Sequence, residues 1–208
     1  MLADYHVHCE FSDDSQTPME KQIERAIALG MDEICFTDHV DYGVKKDWDE
    51  PGEVAWRSGE PLANVNYPRY FEKLAEMRRR YDGIITVRQG LEFGIQSHTV
   101  SRFKALCERY RDKLDFVLLS MHQVDDQEFW TQDFQRGKTQ KEYNERYYEE
   151  ILRVMTEVLG YMESAYIRIQ STNTADARVF AARFACGNGG VACGEAPCVE
   201  RLEAFDDG

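Results

Sequence analysis

His6 and His8 stand two residues apart in the stretch Asp4-Tyr5-His6-Val7-His8. On an extended strand the side chains at i and i+2 share a face, so this spacing presents two imidazoles side by side, a bidentate grip for a metal ion. A histidine pair alone is a moderate signal, and its weight comes from residues later in the chain. Asp38-His39 follows the apolar run Ile34-Cys35-Phe36, Glu92 closes the run that begins Ile84-Ile85-Thr86-Val87, and His122 follows Phe116-Val117-Leu118-Leu119. Singly, each has a plainer reading. A histidine after a strand is commonly hydrogen-bonded to backbone or lies at the surface, and a glutamate commonly caps or faces solvent. Together, at equivalent positions, His6, His8, His39, Glu92 and His122 read as the ligands of a metal centre.

Such a centre needs elements that bring four strand ends to one place. The pattern supplies them. A strand over residues 3–8 runs into a polar loop, and Thr17-Pro18-Met19-Glu20 supplies an N-cap, a proline at the first helical position and a first-turn acid. Ile23, Ala26 and Ile27 carry the apolar face of that helix and Gly30 stops it. Further strands are expected over 34–37, 84–92 and 116–119, and helices over 67–81, 99–112 and from Thr139 through Met155. Strand and helix alternate four times, the signature of an α/β barrel or an open parallel sheet, in which ligands collect at the carboxyl ends of the strands. Residues 40–67 interrupt the alternation with a Gly- and Pro-punctuated segment holding Tyr42, Trp48 and Trp56, a candidate lid or substrate wall.

Composition limits the partners. The 208 residues are 43% hydrophobic and 30% charged, ordinary for one globular domain. A formal charge of −13 argues against nucleic acid or an anionic membrane as partner, though bound divalent ions can reverse the field at a site and admit a phosphorylated small molecule. No apolar run approaches a bilayer span and the N-terminus lacks a signal-peptide pattern, so a cytoplasmic protein is expected. Six cysteines without short paired spacing fit reduced thiols. Composition leaves oligomerisation open.

The residues also carry a resemblance. His6-Val7-His8, Thr37-Asp38-His39, Gly90-Leu91-Glu92 and Ser120-Met121-His122 resemble the motifs of the polymerase-and-histidinol-phosphatase (PHP) superfamily. His39-Val40-Asp41-Tyr42-Gly43-Val44-Lys45 and Asn66-Tyr67-Pro68-Arg69-Tyr70 resemble its histidinol-phosphatase branch, and the likeness covers residues 1–155. It implies a distorted seven-stranded (βα) barrel with two or three divalent ions (zinc, manganese or iron) that hydrolyses L-histidinol phosphate to L-histidinol and phosphate in histidine biosynthesis. By the same resemblance His6 and His8 hold the first metal, Glu92 bridges the first and second, His122 binds the second and His39 the third. Glu92 and His122 thereby serve catalysis, and Asp38 orients the ligand beside it. Many members have a histidine six residues after the second motif histidine; Asp14 stands there, so either Asp13 or Asp14 is the ligand, with a tilt toward manganese, magnesium or iron. His98 is a candidate second-metal ligand or phosphate contact, and Asp41 or Asp47 a candidate grip for the histidinol amine.

The pattern stops in the C-terminal part. The family's later Gly-His-x-Asp-like and Asp-x-His-like motifs do not occur, no histidine follows His122 and no lysine follows Lys141. From about residue 156 the texture changes, which suggests a frameshift near residues 156–165; a divergent native segment is the other reading. Cys186, Cys193 and Cys198 form no CxxC and no zinc knuckle. The expectation is therefore an N-terminal portion of a PHP phosphoesterase over 1–155, an atypical segment over 156–208, an incomplete barrel of about four βα units, and weak or absent activity.

Overall fold

A computed structural model of the chain describes residues 2–169. In order the elements are β1 (Ala3–Val7), α1 (Met19–Ala28), β2 (Glu33–Phe36), β3 (His39–Val40), a hairpin of β4 (Trp56–Arg57) and β5 (Glu60–Pro61), α2 (Tyr67–Arg80), β6 (Thr86–Gly94), a 3-10 turn (Ser97–Thr99), α3 (Val100–Arg109), β7 (Phe116–Ser120), a hairpin of β8 (Gln123–Val124) and β9 (Gln127–Glu128), and α4 (Gln140–Ile169). None of these helices is long and apolar enough to cross a membrane.

The main sheet is wholly parallel, with β1, the β2–β3 pair, β6 and β7 side by side in chain order. Successive neighbours joined by helices make the curled half of a (βα) barrel, the expected fold class. β2 and β3 behave as one interrupted strand. Glu33 lies opposite Thr86 and Phe36 opposite Gln89; after the break at Thr37-Asp38 the same register resumes, with His39 opposite Glu92. β1 is irregular: Asp4 pairs with Ile34 but Val7 with Phe36, one extra residue on the β1 side. The Asp4 carboxylate accepts the His6 N–H at 3.0 Å across this bulge.

The helices form where the pattern places them. On α1, Met19, Ile23 and Ala26 are buried, and Pro18 sits at the N-cap with no side-chain cap, so the helix starts one residue later than the Thr17 cap predicts. On α2 the Asn66 side chain accepts the Arg69 N–H, while Tyr70, Phe71, Leu74 and Met77 are buried. The Tyr70 hydroxyl donates to the Gly90 carbonyl at 2.9 Å, fastening α2 to β6. α3 buries Val100, Phe103 and Leu106.

Segment 40–66 is ordered by a buried polar knot. The hydroxyls of Tyr42 and Tyr67 and the Asn64 amide donate to the Asp47 carboxylate at 2.9, 2.6 and 2.9 Å, and the Asn64 carbonyl accepts the Asp41 N–H at 2.8 Å. These bonds tie Asp41, Tyr42, Asp47 and Asn64 of the segment to one another and to Tyr67 at the start of α2. Its β4–β5 hairpin is tied to β9 by the Arg57–Glu128 ion pair, with Trp130 under the guanidinium and donating to Glu128 at 3.0 Å. Cys9, Cys35 and Cys107 carry free thiols, as expected. Cys186, Cys193 and Cys198, and all of the proposed atypical segment beyond residue 169, lie outside the described residues.

Candidate metal centre

The carboxyl ends of β1, β3, β6 and β7 meet around Glu92. This side chain is 2% exposed, and its Oε2 lies 3.0 Å from His6 Nε2 and 2.8 Å from His8 Nε2. Its Oε1 faces His122 Nε2 at 3.2 Å and accepts the Ser120 hydroxyl at 2.5 Å. His8 Nδ1 is 2.8 Å from Asp14 Oδ2, which is also 3.3 Å from His39 Nε2. His122 Nδ1 is 2.6 Å from Asp41 Oδ1. The imidazoles run in a chain His6, His8, His39, His122, with successive ring centroids 5.0, 4.3 and 4.7 Å apart.

Three overlapping sets of ligand atoms result: His6, His8 and Glu92; His8, Asp14 and His39; His39, Asp41 and His122. Nitrogen and carboxylate oxygen together suit zinc, manganese or iron. The His39 ring tests the fit. Its Nδ1 is buried without a hydrogen-bond partner, 3.7 Å from Glu92 Oε2 and 4.0 Å from Asp41 Oδ2. Those separations are too long for hydrogen bonds and close to the roughly 3–3.5 Å between two ligands of one ion. A buried nitrogen is rarely left orphaned, and an ion would satisfy it.

The electrostatics agree. Burial alone lowers the His8 pKa, but hydrogen bonds to Asp14 and Glu92 outweigh it and raise it to about 10. His122 is likewise lowered by burial and raised, on balance to about 10, by Asp41 and Glu92. Burial pushes Glu92, Asp14 and Asp41 upward, and their histidine partners, joined at Asp41 by Lys45, more than reverse this, holding all three well below the usual carboxylate range. Without ions, the carboxylates hold protons on His8 and His122 instead, as a site built for cations does in their absence.

Six residues expected as ligands, His6, His8, Asp14, His39, Glu92 and His122, are thus gathered in one place. Between Asp13 and Asp14, the geometry puts Asp14 in the centre, while Asp13 Oδ1 turns to Lys45 Nζ at 2.7 Å. Asp38 does not touch the His39 ring. It is fully buried and accepts the Cys9 N–H at 2.9 Å and the Ser12 hydroxyl at 2.7 Å, and Ser12 Oγ in turn accepts the His39 N–H at 3.0 Å. It ties the loop after β1 to the end of β2. Asp41 is 4% exposed and engaged by His122 and Lys45, and Asp47 is engaged by the tyrosine knot, so neither carboxylate stands free. His98 lies outside the three sets, half exposed, with Nε2 3.0 Å from Asp126 Oδ1.

A family model for the PHP domain matches residues 4–186. The chain belongs to the PHP domain family. The match extends beyond residue 155, where the sequence motifs end. The histidinol-phosphatase of Lactococcus lactis is 32% identical over 148 residues, 67% of this chain and 48% of that protein. The histidinol-phosphatase of Bacillus subtilis is 22% identical over 179 residues, 85% of this chain and 62% of that protein. The crystal structure of the Lactococcus lactis histidinol phosphate phosphatase, complexed with zinc, L-histidinol and phosphate, superposes with a TM-score of 0.58 at 30% identity over 74% of this chain and 53% of that one. The PHP chain therefore spans about half the length of its Lactococcus relative.

Sequence reasoning placed no role on Lys45 or Gly94. Lys45 is 5% exposed and bridges Asp13 and Asp41, its Nζ being 2.8 Å from Asp41 Oδ2. A Cβ on Gly94 would stand 2.0 Å from Asp41 Oδ1 and 2.7 Å from His122 Nδ1, so only glycine leaves room for that pair. The available signals were faint: a lysine four residues after Asp41, and a glycine two after Glu92.

Proposed function

We propose that this chain is the metal-holding portion of a histidinol-phosphate phosphohydrolase, releasing L-histidinol and phosphate from L-histidinol phosphate in histidine biosynthesis. The observation that carries this is the gathering of seven side chains able to ligate metal, among them His39 with its orphaned ring nitrogen. Added to it is the 30% identity to a solved histidinol phosphate phosphatase holding zinc, L-histidinol and phosphate. Two or three zinc, manganese or iron ions are the cofactors on this reading, and a cytoplasmic location accords with it. His6, His8, Asp14, His39, Asp41, Glu92 and His122 form overlapping groups that would hold the ions, each histidine giving its lone pair to one ion only. When bound, such ions supply a hydroxide nucleophile at neutral pH and neutralise the phosphoryl oxygens. The chain's own residues do the rest. A neutral imidazole has a single lone pair, so His8 and His122 each ligate through one nitrogen and donate the other N–H to a facing carboxylate, which fixes the ring. Ser120 orients Glu92, and Asp38 keeps the loop carrying Asp14 against the centre.

Release of phosphate from L-histidinol phosphate by zinc- or manganese-loaded protein, against a panel of phosphate monoesters, tests this directly. A marked preference for L-histidinol phosphate is expected, and equal rates across the panel would reassign the chain to another PHP phosphoesterase. A second reading is a chain that binds metal but is catalytically impaired. It is favoured by the half-barrel itself, whose edge strands β1 and β7 each pair on one side only among the described residues. On that reading residues 1–155 are the phosphoesterase portion and 156–208 a separate segment, and metal binds without measurable phosphate release.

A further inference from the structure

His122 turns its two ring nitrogens to two different carboxylates. Nε2 lies 3.2 Å from Glu92 Oε1, and His6 Nε2 and His8 Nε2 face the same glutamate. Nδ1 lies 2.6 Å from Asp41 Oδ1. The other Asp41 oxygen is 2.8 Å from the ammonium of Lys45, which Asp13 Oδ1 also holds at 2.7 Å. Both Asp41 oxygens are therefore engaged, in a contact so close that a Cβ on Gly94 would stand 2.0 Å from Oδ1. The backbone behind it is fixed as well, the Asp41 N–H donating to the Asn64 side chain at 2.8 Å.

We propose that Asp41 is a positioning residue rather than a ligand, anchored by Lys45 so that it keeps the His122 proton on Nδ1 and the Nε2 lone pair turned to an ion beside Glu92. The inference rests on reading the strand ends as a metal centre, and it narrows the group of seven: Asp41 acts from behind His122. A neutral imidazole has one lone pair, so an ion on Nε2 requires a proton on Nδ1, and a carboxylate placed there accepts it. The second oxygen is no freer. Oδ2, which lies 4.0 Å from His39 Nδ1, is the oxygen that Lys45 occupies.

The experiment uses the full chain loaded with zinc, its affinity titrated against a chromogenic chelator and its histidine tautomers read from long-range nitrogen–proton NMR spectra. Wild type is expected to show His122 protonated on Nδ1 and bound through Nε2. In Asp41→Asn the Lys45 ammonium draws the amide oxygen, so the amide NH2 turns to His122 Nδ1 and leaves the proton on Nε2, where it blocks the metal. That variant should hold the ion on His122 about 10–100-fold more weakly. Adding Lys45→Met frees the amide to turn its oxygen to His122, so the proton should return to Nδ1 and most of the affinity with it. Lys45→Met alone keeps a carboxylate behind His122, and so the Nδ1 proton. Its affinity is the baseline for that recovery, because losing a nearby positive charge by itself tightens a dication. If Asp41 ligates directly, Asp41→Asn loses affinity with the Nδ1 proton unmoved and Lys45→Met repairs nothing beyond the baseline; that result overturns the proposal. If circular dichroism shows either variant unfolded, wild type decides, and a His122 with no proton on Nδ1 in the zinc-loaded chain overturns it. The expected tautomers without phosphate release would sink the proposed hydrolysis and leave this inference standing.

Discussion

His8 turns both ring nitrogens to carboxylates, as does His122, and that decides how the metal-free protein responds to pH. Their folded pKa values of about 10 lie above the ordinary 6.5, so the stabilisation they give the metal-free fold is complete below about pH 6.5 and is lost as pH rises toward 10. Glu92 is depressed from its ordinary 4.5, so its contribution is present above pH 4.5 and is lost as pH falls. The metal-free chain should therefore be most stable between about pH 4.5 and 6.5, and its melting temperature should fall from pH 6.5 to 9. Zinc must displace those protons, so the loaded chain should gain stability relative to the metal-free one over the same rise in pH. Melting curves with and without chelator at pH 5.5, 7 and 8.5 check this. A metal-free chain that melts higher at pH 8.5 than at 5.5 would remove the imidazolium–carboxylate account of the centre.

Among the elements, β6 does the most positioning. Its first half pairs with β2, its second half with β3 and β7, and Glu92 faces the ligands from inside that second half. Two residues on, Gly94 leaves the space that the Asp41–His122 pair fills. Gly94→Ala is expected to push this pair apart, costing about 1–3 kcal/mol in denaturant unfolding and removing one ion per chain. An alanine variant that keeps wild-type metal content would show that the strand yields and that the close approach is immaterial. Much of this geometry is legible from the sequence. His39, Glu92 and His122 each follow or close a strand-like run, His6 and His8 announce the first strand by their spacing, and a parallel sheet brings such ends together whatever the loops do. What pattern could not show is set by contacts between distant loops. The direction of Asp13 and the place of Lys45 depend on how segment 40–66 folds, and that depends on Asp47 meeting Tyr42, Tyr67 and Asn64 rather than on any local period. The restored register of β3 was hidden too, because a two-residue strand after a break leaves no alternation to read.

For the molecule as a whole, the centre joins β1, β3, β6 and β7 through their side chains and adjoining loops. His6 and His8 come from β1 and its loop, His39 and Asp41 from β3 and the residue after it, Glu92 from β6 and His122 from the end of β7. An unfolded chain keeps none of this convergence, so an ion that binds the native state stabilises the entire fold. At a free concentration of 1,000 times Kd one ion contributes about 4 kcal/mol. For a chain of this size that corresponds to a shift in Tm of roughly 8–16 °C. Chelation should thus lower Tm by at least that amount in a single cooperative transition, because β1, β3, β6 and β7 cannot separate without releasing a ligand. Calorimetry of loaded and chelated protein distinguishes this from a local role. A chelated chain that melts within a degree or two of the loaded one would mean that the ions decorate a fold already complete without them. A transition that splits on chelation would mean that β1, with its irregular pairing to β2, separates from the rest once His6 and His8 lose their ion.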